Sequence, residues 1–130
     1  MSKETDSNFA VVLPGETIAS ITGATNQNDR IEITTQSGRT FVLYHSQDCC
    51  ETVQIHHIVG DPAELVGQTI LSAQEQIQPD KPEGVPDPDF SDSDTWSTFT
   101  LVTAKGAVVI TWHGCSNGYY SESVSFVEVK

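Results

Sequence analysis

The sequence predicts a mostly β domain, built from antiparallel hairpins with one short helix, and three observations carry that expectation. Strand-type alternation recurs along nearly the whole chain, as in Arg30-Ile31-Glu32-Ile33 and Val53-Gln54-Ile55-His56, where one face of a pleated strand is apolar and the other polar. Short turn clusters separate these runs, among them Gln36-Ser37-Gly38 and Ala104-Lys105-Gly106, with glycine where a hairpin needs positive φ. Helical signals are confined to one short stretch after Gly60.

Taken in order, residues 17–21 read as a short strand and 30–35 as a second, with Ile31 and Ile33 on one face. The turn at 36–38 leads into a strand at 40–44, completing a hairpin. Beyond the HSQDCCE segment, Val53, Ile55 and His57 alternate with Gln54, His56 and Ile58. Asp61 as N-cap and Pro62 at the first helical position predict one helical turn through Leu65, ended at Gly67. Residues 69–77 read as a strand, although Ile70, Ala73 and Ile77 also satisfy helical spacing. Four of the six prolines fall within 79–94, which makes that stretch a loop, since proline lacks a backbone donor and biases its predecessor away from helix. Its length makes it an excursion or a flap. Strands at 96–103 and 107–112 form the second hairpin, and Ser116-Asn117-Gly118 turns the chain into a last strand over 119–129.

A chain of 130 residues is the size of one domain, 1–130, able to bury a core without metal or disulfide staples. Its 37% apolar content is that of a globular protein. No apolar run is long enough for a membrane span, and the start MSKETDSNFAVVLPG lacks the basic, apolar, small-residue order of a signal peptide, so a cytoplasmic location without membrane contact is expected. Three cysteines, two of them adjacent, make no disulfide framework and fit reduced thiols. The formal charge of −12 disfavours direct nonspecific nucleic-acid binding, which depends on Lys and Arg displacing counterions. Six acids against one base are concentrated in 80–94. Such a run serves either as a lure for a basic partner or as a solvated loop, and the solvated loop is preferred. Unpaired strand edges would allow a homo-oligomer.

Two stretches look alike. Gly15, Thr17, Ile18 and Ser20 recur as Gly67, Thr69, Ile70 and Ser72, 52 positions on, and Thr35, Gly38, Tyr44 and His45 recur as Thr103, Gly106, Trp112 and His113, 68 positions on. The added sixteen positions equal the length of the 79–94 loop. Glu51 and Val53 then match Glu122 and Val124. An internal repeat of 15–58 and 67–129 accounts for these matches, as two related β-units of which the second carries the acidic insertion. The alternative is that all hairpins share threonine, glycine and β-branched residues.

The chemically capable side chains concentrate in YHSQDCCETV and WHGCSNGYYSESV. His45, Cys49, His113 and Cys115 offer two nitrogens and two sulfurs, a set that zinc accepts. They lack the paired C-x-x-C or H-x-x-x-H clips, and buried thiols with edge histidines account for them more simply. A thiolate pair is the second chemistry, yet the vicinal Cys49 and Cys50 point to opposite sides of an extended chain. No G-x-S-x-G elbow, phosphate loop or H-E-x-x-H motif is present. A zinc- or thiol-dependent hydrolase is therefore the alternative, behind a non-enzymatic binding protein that needs no cofactor. His56 and His57 are expected to split between sheet faces. The segment 116–123 is rich in Tyr, Ser, Asn and Gly, the residues of adaptable recognition loops, although a plain hairpin turn would use the same letters. The expected ligand- or partner-binding set is His45, Asp48, Glu51, Trp112, His113, Asn117, Tyr119, Tyr120 and Glu122.

The HSQDCCE segment at 45–51, the GQTI element at 67–70 and the W-x-G-x-S-N-G-Y-Y-S-E pattern at 112–122 resemble an uncharacterised domain family of small phage and bacterial proteins, over about residues 15–129. The resemblance implies no catalytic residue. It implies a context, that of phage accessory proteins in the host cytoplasm, whose small acidic products bind host factors or sequester host signalling molecules. The expected partner is accordingly a host protein or a small nucleotide-like ligand, in counter-defence.

Overall fold

The computed structural model describes residues 4–45, 51–88, 93–116 and 122–129; the expected turns around Asp48, Cys49 and Cys50 and around Asn117, Tyr119 and Tyr120 lie outside them. Along the chain come β1 (Glu4–Asp6), α1 (Phe9–Val12), β2 (Ile18–Thr22), β3 (Arg30–Thr35), β4 (Thr40–Tyr44), β5 (Thr52–Val59), a 3-10 turn (Pro62–Leu65), β6 (Ser72–Gln78), β7 (Ser93–Thr103), β8 (Gly106–Ser116) and β9 (Ser125–Val129). They form a five-stranded sheet, β1-β9-β4-β3-β2, and a four-stranded sheet, β5-β8-β7-β6. Every strand pair is antiparallel, as the hairpin pattern predicts.

Alternation decides which residues meet between the sheets. Ile31, Ile33, Phe41, Leu43 and Phe126 from one sheet join Val53, Ile55, Phe99, Leu101, Val108, Ile110 and Trp112 from the other in a single buried cluster. The helix α1, which the sequence reading missed, closes one side of it. Asn8 caps the helix by accepting from Ala10 N at 3.1 Å, and Phe9 packs edge-on against Phe99 at 5.0 Å and Phe126 at 5.2 Å, one ring from each sheet. The expected helical turn after Asp61 is a 3-10 turn, capped by Asp61 accepting from Ala63 N at 3.0 Å.

The two similar segments contact each other. Gly15 N donates to Ile70 O and Gly67 N to Ile18 O, both at 2.8 Å, while Ile70 N donates to Glu16 O at 2.9 Å and Ile18 N to Gln68 O at 3.0 Å. The Thr17 and Thr69 hydroxyls meet at 2.8 Å in the middle. Each bond therefore has a counterpart 52 positions along, reversed in direction. The strands cross over in the same reciprocal way. After β4 the chain leaves the five-stranded sheet, and β5 pairs with β8; after β8 it leaves the four-stranded sheet, and β9 pairs with β4.

Several boundaries differ from expectation: β6 is Ser72–Gln78 rather than 69–77, β9 begins at Ser125 with 122–124 outside it rather than running over 119–129, and two further changes move chemistry with them. The strand β7 begins at Ser93 rather than 96, because Ser93, Asp94 and Thr95 keep pairing with Ser116, Cys115 and Gly114. The strand β8 runs on to Ser116 instead of ending at 112, since it is held by β5 on one side and β7 on the other. His113 and Cys115 are thus strand residues, not turn residues.

Candidate functional site

Along β8, Ile110 and Trp112 belong to the core between the sheets, which directs Thr111, His113 and Cys115 to the opposite, outer face. That face is not solvated around them: Trp96 is 2% exposed, His113 6% and Cys115 5%. The register explains the grouping. Gln54 and Trp96 flank His113 directly, and Thr52 and Asp94 flank Cys115, so all six side chains share one face.

His56 follows Thr52 and Gln54 onto this face and sits at a β-bulge. Ile55 pairs with Trp112 and His57 with Thr111, leaving His56 as the extra residue. Its ring lies 5.4 Å from Trp96 and 5.8 Å from His113, and Trp96 and His113 are 4.5 Å apart with a 33° tilt. Alternation from Thr52 and Gln54 already places His56 on this outer face, and the bulge turns His57, opposite Thr111, toward the same face, so the two histidines do not split between the faces as expected. Each imidazole is anchored from behind. His113 Nε2 lies 2.7 Å from the Asp94 carboxylate, and His56 Nε2 lies 2.8 Å from the Pro86 carbonyl. A carbonyl and an ionised carboxylate only accept, so both Nε2 atoms carry the hydrogen.

The described part of the acidic loop, 79–88, folds back onto this face. Val85 is buried, and Lys81 donates to Asp87 at 2.6 Å, which holds the Asp87 carboxyl below the usual carboxylate range. The acids themselves stay in solvent: Asp80, Glu83 and Asp87 are exposed. Beside the imidazoles lies a pocket of about 170 Å³, lined by Thr52, Gln54, His56 and His113 from the sheet, Pro88 from the loop, and Asn26 and Gln27 from the β2–β3 connection. Gln27 N donates to Ile55 O at 2.7 Å and Ile55 N to Asn28 O at 2.8 Å, which fixes that connection against β5. A wider cleft of about 420 Å³ adjoins it, sharing Pro88 and bounded by Asp80, Lys81, Asp87, Asp94 and Trp96.

The crossover residues form a second polar group. His45 Nδ1 lies 2.6 Å from the Ser123 carbonyl and its Nε2 2.7 Å from Glu51 Oε2, with the two side chains 3% and 0% exposed. The carbonyl requires a hydrogen on Nδ1, and one further proton is shared between Nε2 and the Glu51 carboxyl. Both ring nitrogens are therefore engaged within the protein. Glu122 accepts from Thr95 Oγ1 at 2.9 Å and from Ser116 Oγ in a short hydrogen bond. It passes so close to Gly114 that a Cβ there would stand 2.5 Å from the Glu122 carbonyl oxygen.

The expected site residues thus divide. His45 pairs with Glu51 and reaches the Ser123 carbonyl, so the two His-containing segments do meet, while Glu122 is held by Thr95 and Ser116. Trp112 is in the core with no exposed surface, so it presents no face to a ligand; its Nε1 and the neighbouring Ser97 Oγ find no hydrogen-bond partner among the described residues. His113 and Cys115 lie on the outer face of β8, apart from His45. Asp48, Cys49, Asn117, Tyr119 and Tyr120 are outside the described residues, and among those described no group of three His, Cys, Asp or Glu is placed to hold a metal ion. Sequence reasoning missed His56, Trp96, Asp94, Gln54 and Thr52. The local signals were two alternations, that of Thr111, His113 and Cys115 with apolar Ile110 and Trp112, and that of Gln54 and His56 with Val53 and Ile55.

Residues 12–126 match the family described as Domain of unknown function (DUF7448). The chain belongs to this family. No curated protein and no solved structure is detectably similar to it. No helix among the described residues is long and apolar enough to cross a membrane.

Proposed function

We propose that the chain is a non-enzymatic binding protein and that its small-ligand site is the pocket between His56, His113 and the acidic loop. The observation that carries this reading is an outer sheet face on which Trp96 and His113 are withdrawn from solvent, His113 and the half-buried His56 are oriented by hydrogen bonds, and both imidazoles still line a pocket. Concave sites that place a few oriented polar groups among aromatic rings are the usual form of small-ligand pockets.

The charge around the pocket limits what fits. Among the described residues Lys81 is the one cation lining the pocket or its adjoining cleft, and it is paired with Asp87, against Asp80, Asp87 and Asp94 as acids. A phosphate would find no cradle there. The ligand class is therefore neutral or cationic, such as a nucleoside-like heterocycle rather than a nucleotide. Sequestration of such a host molecule, in the counter-defence setting that the phage resemblance implies, is the biological form of the proposal.

Native and denaturing mass spectra of protein purified from cells, compared for the parent and Gln54→Phe, test it. A retained small molecule in the parent that is absent from the variant supports the pocket. A bare parent that also fails to bind a panel of nucleosides and small cationic heterocycles overturns it.

A further inference from the structure

The imidazoles of His56 and His113 carry an arrangement that goes further than a polar pocket wall. In each ring the Nε2 hydrogen is committed, to the Asp94 carboxylate in His113 and to the Pro86 carbonyl in His56. The other ring nitrogen, Nδ1, is then a lone-pair donor in both, and no hydrogen bond occupies either one among the described residues. A histidine whose far nitrogen donates to a carboxylate or a backbone carbonyl is the usual form of a metal-binding imidazole, because that bond fixes the tautomer and the ring plane and raises the basicity of the free nitrogen.

We propose that His56 and His113 together bind a divalent transition-metal ion of the zinc or copper type through their Nδ1 atoms, in the pocket they line. Two imidazoles with oxygen donors suit such ions. Metal–nitrogen bonds of about 2.0–2.1 Å place each ring centroid about 3.2 Å from a shared ion, so a tetrahedral angle would separate the centroids by about 5.2 Å. The observed separation is 5.8 Å, reached with an angle of about 130° or closed by a movement of about 0.6 Å. Trp96 packs against both rings and holds them in place. Gln54, the β5 partner of His113, offers an amide oxygen on the same face. With two imidazoles as its only strong ligands, the ion keeps open positions for water or for a ligand in the pocket. The inference rests on the pocket reading above and adds to it the anchor through which the ligand is held.

The probes are zinc(II) and cobalt(II), added to untagged full-length protein stripped with chelator. Calorimetry with zinc is expected to show one equivalent bound, and the cobalt spectrum is expected to lack a thiolate charge-transfer band. His56→Gln and His113→Gln should each weaken binding at least tenfold, while His57→Gln and Cys115→Ser leave it unchanged. Circular dichroism checks that the variants fold, and His56, on the rim and only half-buried, keeps the test meaningful if His113→Gln is unstable. The proposal is overturned if no ion binds at tens of micromolar, if His56→Gln binds as the parent does, or if Cys115→Ser removes binding. Loss of metal binding with a small molecule still retained would sink the metal site and leave the pocket standing.

Discussion

Gly114→Ala tests whether the second crossover is as tightly built as its contacts imply. A Cβ at this position would lie 2.5 Å from the Glu122 carbonyl oxygen and 2.7 Å from Glu122 Cβ, where ordinary contact begins at 3.4 Å. Glu122 must therefore retreat by about 0.7–0.9 Å, because both blocking atoms are at or next to its backbone and no flexible tip can swing aside. That movement stretches the bonds its carboxylate receives from Thr95 and Ser116. Overpacking costs about 1–3 kcal/mol, and each weakened bond to a buried charged group adds up to about 1.5–3 kcal/mol. A total of about 3–5 kcal/mol corresponds to a fall in Tm of about 10–20 °C for a domain of this size. The control is Gly15→Ala, where a Cβ meets nothing within 4 Å and only the positive φ of 92° is strained, at about 1–2 kcal/mol. Thermal unfolding followed by circular dichroism gives both values. A Gly114→Ala protein that melts within 3 °C of the parent, or no lower than Gly15→Ala, would refute the reasoning.

Further outcomes follow from the packing and the ion pairs. Phe9→Ala removes the ring that touches both sheets and should cost about 3–5 kcal/mol, read as a shift in the urea midpoint with little change in slope. Glu51→Ala leaves His45 buried without its carboxylate and should cost about 3–5 kcal/mol; a loss below 1 kcal/mol would mean that the crossover relaxes around the gap. The Glu16 carboxyl is held below its usual value of 4.5, chiefly by the hydrogen bond from Ser37 and then by Arg39. A carboxyl lowered on folding contributes stability above its unfolded pKa and loses it as the pH falls through the folded one. Ser37→Ala should therefore destabilise at pH 7 and be nearly neutral well below pH 4. Equal destabilisation at both pH values would contradict this.

Much of the fold is local and therefore legible. The bounds of β3 and β4 match the expected 30–35 and 40–44 residue for residue, and the cap at Asp61 and Pro62 is set by side chains within three positions of one another. The single turn of α1 left no trace because four residues are too few for a periodicity, and its position follows from Phe9 filling the gap between Phe99 and Phe126. The ends of β7 and β8 were misjudged for a related reason. Strand length there is set by the neighbouring strands, and the local letters around 93–95 and 113–116 resemble those of a turn.

The candidate site was harder to read because it depends on register. By itself the sequence determined the class of the fold and the acidity of the 79–94 stretch, since alternation, turn chemistry and charge are properties of neighbours along a chain. Only the tertiary structure decided that Trp112 turns inward while His113 turns outward, that the pairing of β5 with β8 sets His56 beside His113, and that Asp94 and Pro86 orient the two imidazoles. A slip of one residue in the pairing of β5, β7 and β8 would scatter those groups to opposite faces of the sheet, so the site exists only once three strands from distant parts of the chain are aligned.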